Sequence, residues 1–327
     1  MNPVQAFKNV PFLGKAAEWL GARVNRHRLK AFYLYRLKPC LLSLLIRTVQ
    51  RMLAVPAIVL TKGDCIVDSG GARFHWVPGN PFSLLGYPLR GDFENLETEI
   101  MTHVAAGSGV VIDVGANFGW YSCHIRRVMR PGSELHLFEP VPAVREELIR
   151  NLALNPAEGV ETIVNGICLS DSEGIVQLHV PKSLGSAFAS MEAQNYKGGF
   201  ESIDVRASTL DEYCREMGIP SIGLVKIDVE GAELKVLKGA RGLLSSKDKP
   251  FLMVECEGTL LSSTGATVQE VIDFILGFGY VGYLVVGGLL CRLSPETIGK
   301  GYDYIFVDPA SPFIAEMLEP MVEGRCQ

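Results

Sequence analysis

The 327-residue sequence lacks the marks of several large protein classes. None of its eight cysteines (40, 65, 123, 168, 214, 256, 291 and 326) forms a CxxC pair or another zinc spacing, so no zinc ribbon is encoded. They are scattered through apolar segments, as reduced, buried thiols are. That pattern points to a cytoplasmic protein without a disulfide framework. No run is apolar enough to span a bilayer, because Arg47 and Arg51 interrupt the longest one, Cys40–Leu60. There is no secretory cleavage pattern, no internal repeat and no low-complexity segment. Hydrophobic residues make up 48% and charged residues 20%, so disorder is excluded and a sizeable core is available.

The net charge of −5 is unevenly spread. Residues 1–60 hold ten Lys and Arg against one acid, Glu18, while the remainder carries 21 basic and 35 acidic residues. A basic arm on an acidic body suggests an anionic partner for the arm. The acidic body argues against nucleic acid as partner, since phosphate contacts need clustered Lys and Arg. Arg47 and Arg51 share one face of a helix, opposite Leu44, Leu45, Val49, Met52 and Leu53. This amphipathic segment is expected to pack on the body or on a second subunit of a homodimer. The other reading is peripheral docking on the anionic inner face of a membrane.

Three segments are expected: a basic helical extension over 1–60, a β-hairpin and helix lead-in over 61–104, and the main domain over 105–327. The extension reads as helices at 14–36 and 40–54. From 109 onward strands and helices alternate. Strands are expected at 109–114, 134–139, 160–168, 222–228 and 250–256, with helices at 118–129, 142–154, 208–217, 231–244 and 267–278. A hairpin is expected over 174–180 and 202–207. Strands 280–286 and 302–307 should form an antiparallel pair at an edge. This alternation predicts an α/β fold with a mostly parallel seven-stranded sheet and helices on both faces.

Five constellations carry chemistry, the fifth being Glu255 with Glu257 at the end of the strand expected at 250–256. Asp113-Val114-Gly115-Ala116-Asn117-Phe118-Gly119 closes an apolar strand and opens a helix. Gly115 and Gly119 permit a tight turn and close backbone approach. The turn lacks GxGxxG spacing and begins with an acid, which is poor for a pyrophosphate and good for a cationic amine or sulfonium. Glu139 follows Gly119 by twenty residues, at the end of the next strand, where an acid accepts hydrogen bonds from ribose hydroxyls. The loop Asn165–Asp171, with Ser170 and Asp171, is placed to pass an adenine, although a solvated turn reads nearly as well.

The fourth constellation is Lys226-Ile227-Asp228-Val229-Glu230-Gly231-Ala232-Glu233. Lys226, Asp228 and Glu230 share one face of an extended strand. Lys226 needs a partner there, since an unpaired buried charge is costly. Asp228 is expected as general base on a hydroxyl, with the structural alternative that it pairs with Lys226 while Glu230 caps the next helix. Asp228, Glu230 and Glu255 offer oxygen ligands for a divalent cation, but carboxylates alone assign no metal. His124 and His136 fall inside core elements and read as structural. The loop 181–200, rich in Ser, Gly and aromatics, is a candidate acceptor lid.

The runs VVIDVGANFGWYS, LHLFEPVPAVREELIRNLALNP, LVKIDVEGAELKVLKGARGLL and FLMVECEG resemble the FkbM family of methyltransferases over residues 92–307. The resemblance implies a Rossmann-like class I methyltransferase fold with S-adenosyl-L-methionine as cofactor. It further implies O-methylation of a small-molecule, glycan or glycolipid acceptor: a sugar, glycolipid or natural-product hydroxyl. It places Asp113, Gly115, Asn117, Gly119, Glu139, Ser170 and Asp171 in the cofactor site, and Lys226, Asp228 and Glu230 at the reaction centre. Two competing classes are a nicotinamide-dependent oxidoreductase and a non-catalytic cofactor-binding scaffold.

Overall fold

A computed structural model describes residues 65–76, 94–181 and 199–322 of the chain. The helices expected at 14–36 and 40–54, and the body of the loop proposed as a lid, lie outside the described residues. The chain divides into two compact units, one of Met1–Ser69 with Trp76–Phe93 and one of Gly70–His75 with Glu94–Gln327. The first unit's described part is chiefly strand β1 (Cys65–Ser69). Strand β2 (Ala72–Trp76) lies almost wholly in the second, so both strands of the expected hairpin form. Within the second unit Phe74 stacks on Trp120, and Asn151 and Asn155 accept the N–H groups of His75 and Arg73.

The second unit is built on an eight-stranded sheet. In chain order its strands are β3 (Val110–Val114), β4 (Glu134–Phe138), β5 (Glu161–Asn165), β9 (Leu224–Ile227), β10 (Phe251–Glu255), β11 (Val281–Val286), β12 (Leu289–Arg292) and β13 (Asp303–Val307). Their spatial order is β12-β11-β13-β10-β9-β3-β4-β5. The block from β10 to β5 is parallel, and β13 enters antiparallel between β10 and β11. A separate sheet joins β6 (Cys168–Leu169), β8 (Phe200–Ser208) and β7 (Gly174–Pro181), the last two as the expected antiparallel pair.

The α/β reading holds, but the sheet has eight strands where seven were expected. The added strand is β12. Gly287 and Gly288 both take positive φ, 59° and 80°, and join β11 to β12 in a two-residue turn. The pair β11–β13 is antiparallel as expected, yet β12 and not β13 forms the edge.

The helices are α1 (Asn95–Gly107), α2 (Trp120–Arg126), α3 (Pro142–Leu154), α4 (Leu210–Met217), α5 (Glu233–Lys238), α6 (Arg241–Leu244), α7 (Gly258–Ser263) and α8 (Val268–Leu276). Their ends follow local chemistry. Thr267 and Glu270 form a reciprocal capping box on α8, Thr209 accepts from the Glu212 N–H on α4, and Gly218 closes α4 at φ 66°. The helix expected over 231–244 is two short ones. A Cβ on Gly239 would stand 2.0 Å from the Ser170 carbonyl oxygen, so backbone contact with the β6 loop fills the space a continuous helix needs.

Leu224, Val225 and Ile227 on β9 are each at most 1% exposed, as a strand covered on both faces requires. Burying each such side chain contributes roughly 1.5–3 kcal/mol. His136 is fully buried between the Tyr213 hydroxyl (2.8 Å) and Glu134 (3.0 Å), and His124 packs edge-on to Trp120. Cys123, Cys168, Cys214 and Cys256 are free, as expected, but Cys291 on β12 is disulfide-bonded, which corrects the reading of eight reduced thiols. Among the described residues no helix is long and apolar enough to cross a membrane.

Candidate active site

The carboxyl ends of β3, β4 and β9 open into a cleft. In open α/β sheets this is where ligands bind. The turn after β3 makes it possible. Gly115 adopts φ 81°, and a Cβ there would lie 1.7 Å from the Asp228 carbonyl oxygen. Only glycine lets the ends of β3 and β9 approach this closely. Asn117 takes φ 53°, a left-handed conformation that asparagine tolerates, and Gly119 follows at φ 93° against Leu148.

Glu139 closes β4 and knits this turn to its own. Its Oε2 accepts from the Asn117 N–H (3.1 Å) and its Oε1 from the Val141 N–H (2.9 Å). Burial lifts the carboxyl to about 7, although both amides and Arg145 favour the anion. An apolar slot beside it is formed by Phe138, Ile167, Cys168, Leu169, Leu178 and Val229. Burial pushes the Cys168 thiol up to about 12, so it serves as an apolar wall and not as a nucleophile.

Lys226 is the centre of the second half of the site. Its Nζ lies 2.8 Å from Asp228 Oδ2 and 3.7 Å from Asp113 Oδ1, and 5.0 Å from the centre of the Tyr121 ring. Burial disfavours the ammonium, but Asp228 and Asp113 override it and hold Lys226 above its usual range. Asp113 is 1% exposed; its Oδ2 accepts from Ser122 at 2.5 Å, and its Oδ1 has no hydrogen-bond partner. Burial raises its carboxyl, with Lys226 and Ser122 opposing.

Of the residues expected in the cofactor site and reaction centre, Gly115, Asn117, Glu139, Asp228 and Glu230 line the cleft. Asp113 and Lys226 sit buried two residues further down their strands. Gly119 serves the helix start. Ser170 and Asp171 stand just past the lining, where Ser170 is buried and donates its N–H to the Ser208 carbonyl. The three residues before them, Ile167, Cys168 and Leu169, face the cleft instead.

The turn after β9 is held by Glu233 and not by Glu230. Glu233 Oε1 accepts the N–H groups of Val229 (3.2 Å) and Gly231 (2.9 Å). The repeated acid-Gly-Ala-acid pattern contained that signal, since an acid in the first helical turn satisfies unpaired N–H groups. Glu230 takes φ 54°, and burial, then Asp228 and Glu233, raise it to about 8. Sequence reasoning also missed Tyr121, Glu94, Glu97 and Asp303. Glu94 starts α1 at φ 44° and is lifted to about 7 by burial.

Asp228, Glu230 and Glu255 are not drawn together as metal ligands. Among the described residues the acids with ligand atoms within 4.8 Å of one another are Glu173, Glu212 and Glu216, away from the cleft.

Comparison with known proteins identifies the family. Residues 113–281, more than half of the chain, match the methyltransferase FkbM domain. A methyltransferase of Sordaria araneosa, sdnD, is 35% identical over 156 residues, covering 39% of this chain and 59% of its own length. The 2-O-methyltransferase NoeI of Sinorhizobium fredii is 26% identical over 200 residues, 56% of this chain and 79% of its own. The 31-O-demethyl-FK506 methyltransferase FkbM of Streptomyces tacrolimicus is 29% identical over 197 residues, 52% and 72%. A solved FkbM methyltransferase of Methylobacillus flagellatus is 19% identical, with a TM-score of 0.39 over 61% of this chain and 43% of that one. The chain belongs to the FkbM methyltransferase family.

Proposed function

We propose that the protein methylates a hydroxyl oxygen on a small-molecule acceptor: a sugar, a glycolipid or a natural product. The observation that carries this reading is the shared cleft, in which Gly115, Asn117 and Glu139 face Asp228 and Glu230. The residues fit S-adenosyl-L-methionine as the donor. Glu139 keeps acceptor capacity for ribose hydroxyls beyond its two amide bonds. The slot from Phe138 to Val229 suits an adenine. The Asp228 and Glu230 carboxyls face the cleft as polar partners for a sulfonium and an amino group, with Asp113 buried behind them. Ser170 and Asp171 belong to this reading as the loop that backs the adenine slot.

The donor, when bound, supplies a methyl group already activated by positive sulfur. The protein's own task is alignment and electrostatics, which supply several kcal/mol of the barrier. Lys226 binds Asp228 through Oδ2. Its other oxygen is then available to accept the hydrogen bond of an acceptor hydroxyl and turn that oxygen toward the methyl group. Glu230 closes the same side of the cleft. The acceptor class comes from relatives named for 2-O, FK506 31-O and hexuronic acid methylation, which share a hydroxylated acceptor and little else.

The test is incubation with methyl-labelled donor and fractionated sugar, glycolipid and natural-product extracts, with calorimetry of donor binding alongside. Label in a base-stable ether supports the reading; no heat with the donor and no label sink it. Asp228→Asn should slow transfer far more than it weakens donor binding. Membrane contact and self-association through residues 1–60 belong to the same proposal, and salt-sensitive sedimentation with anionic vesicles tests the first.

A further inference from the structure

Asp228 does not stand alone at the rim of the sheet. In the β9–β10–β13 register, Lys226 pairs with Met253 and Met253 with Ile305. Two residues further toward the cleft, Glu255 pairs directly with Asp303, and Asp228 is in line with both. Directly paired residues share a face. Three carboxyl groups therefore form one row across three adjacent strands. Their environments differ. Asp228 is committed to Lys226 at 2.8 Å, whereas Glu255 and Asp303 are half-buried and bonded to no cation among the described residues.

A second observation points to a ligand at this row. Tyr121 is 6% exposed, and its hydroxyl makes no hydrogen bond of normal geometry. Burial raises this phenol first, then the charges of Glu94, Asp303 and Glu97 and a bond toward Glu94, so the hydroxyl stands among acids, one of them a member of the row. A buried phenol that makes at most a poorly aligned bond to Glu94 is suited to hold a hydroxyl beside the paired carboxyls.

We propose that the Glu255–Asp303 pair is the proton-accepting wall of the acceptor site, with the Tyr121 hydroxyl as its third contact. The proposal rests on the reading of the protein as an O-methyltransferase. The acceptor O–H bond breaks as the oxygen–methyl bond forms. The carbon–sulfur pair returns to sulfur, leaving a neutral sulfide, and the proton comes to rest on the carboxyl pair before passing to water. Asp228, held by Lys226, orients the hydroxyl. Two carboxyls side by side cannot both ionise freely, so one proton is shared between them. The charge of Asp228, then burial and Asp303, hold Glu255 well above its usual range. Burial, then Glu94, Glu97 and Asp228, do the same to Asp303, with Lys226 opposing in both.

The test is carboxyl-carbon NMR on the full chain, labelled at Asp and Glu and titrated with S-adenosylhomocysteine present. Glu255 and Asp303 should titrate as a linked pair, and Asp303→Asn should return Glu255 toward the ordinary carboxylate range. Independent titration at ordinary values overturns the proposal. In label transfer to an acceptor from the extract screen, Asp303→Asn should lower kcat more than about tenfold, a loss of about 1.4 kcal/mol in barrier terms. Donor affinity should be unchanged, the acidic limb of the pH profile should move, and Asp303→Glu should restore part of the rate. Undiminished kcat in Asp303→Asn overturns the proposal. Tyr121→Phe, which preserves the ring packing, should move the same limb if a rim variant does not fold. The NMR result needs no acceptor, so a blank screen ends the functional reading while the carboxyl pair is still judged separately.

Discussion

The two walls of the cleft are built by opposite means. The wall of β3 and β4 is made of backbone: positive φ at Gly115, Asn117 and Gly119, and one buried carboxylate, Glu139, held by two amides. Beside it the ends of β9, β10 and β13 gather charge: Asp228, which lines the cleft, stands in a row with Glu255 and Asp303, the charges of Glu94 and Glu97 act on that row, and Lys226 is its main cation. The first is assembled from neighbours in sequence. The second is assembled by strand register from residues two hundred apart.

Breaking the backbone wall should do the most damage. In Gly115→Val the new side chain begins 1.7 Å from a carbonyl oxygen of the neighbouring strand, at φ 81°. Strands β3 and β9 must separate to admit it. The expected loss is at least about 4 kcal/mol of stability in urea unfolding, with donor binding abolished. Next is Lys226→Met, which leaves Asp113 and Asp228 without their cation at a cost of about 3–5 kcal/mol. Adding Asp113→Asn to it should recover part of that loss. Additive losses in the double variant would show that the lysine acts independently of Asp113.

The same contrast explains what was legible in the sequence. The turn 113–119 and Glu139 are local motifs whose residue types dictate their geometry, so the place of Gly115, Asn117 and Glu139 at the cleft was legible. Lys226 in an apolar strand demanded a partner, and both partners were found. Asp303 and Glu94 carry no local signal, because their role exists only once β13 inserts beside β10 and α1 approaches the rim. Gly239 hid its effect for the same reason: its contact, the Ser170 carbonyl, is distant in sequence. The missed strand β12 was legible in principle, through the Gly287-Gly288 turn between apolar runs.

Glu139 sharpens the comparison, since it is the carboxyl of the backbone wall that lines the cleft, whereas Asp113 lies buried below it. Its folded value, about 7, lies above the ordinary 4.5, so the folded state binds the proton more tightly than the unfolded chain. Its contribution is fully present below pH 4.5 and is lost as pH rises through about 7. Glu94 and Glu233, lifted by burial to about 7, act in the same direction. The donor-free protein should therefore melt at a lower temperature at pH 8 than at mildly acidic pH. Glu139→Gln should flatten that slope and weaken donor binding about tenfold, or roughly 1.4 kcal/mol. An unchanged melting slope in the variant would mean that Glu139 titrates normally.

The smallest effect is expected at Gly288, which isolates one of the two penalties combined at Gly115. Both glycines have φ near 80°, but a Cβ on Gly288 meets nothing within 4 Å. Gly288→Ala therefore bears only the left-handed backbone cost, about 1–2 kcal/mol, softened by the position of β12 at the sheet edge. Urea unfolding should show that loss with donor affinity unchanged, because the turn is not part of the cleft. A loss as large as that of Gly115→Val would mean that conformation alone, and not the contact with the Asp228 carbonyl, sets the glycine requirement of the backbone wall.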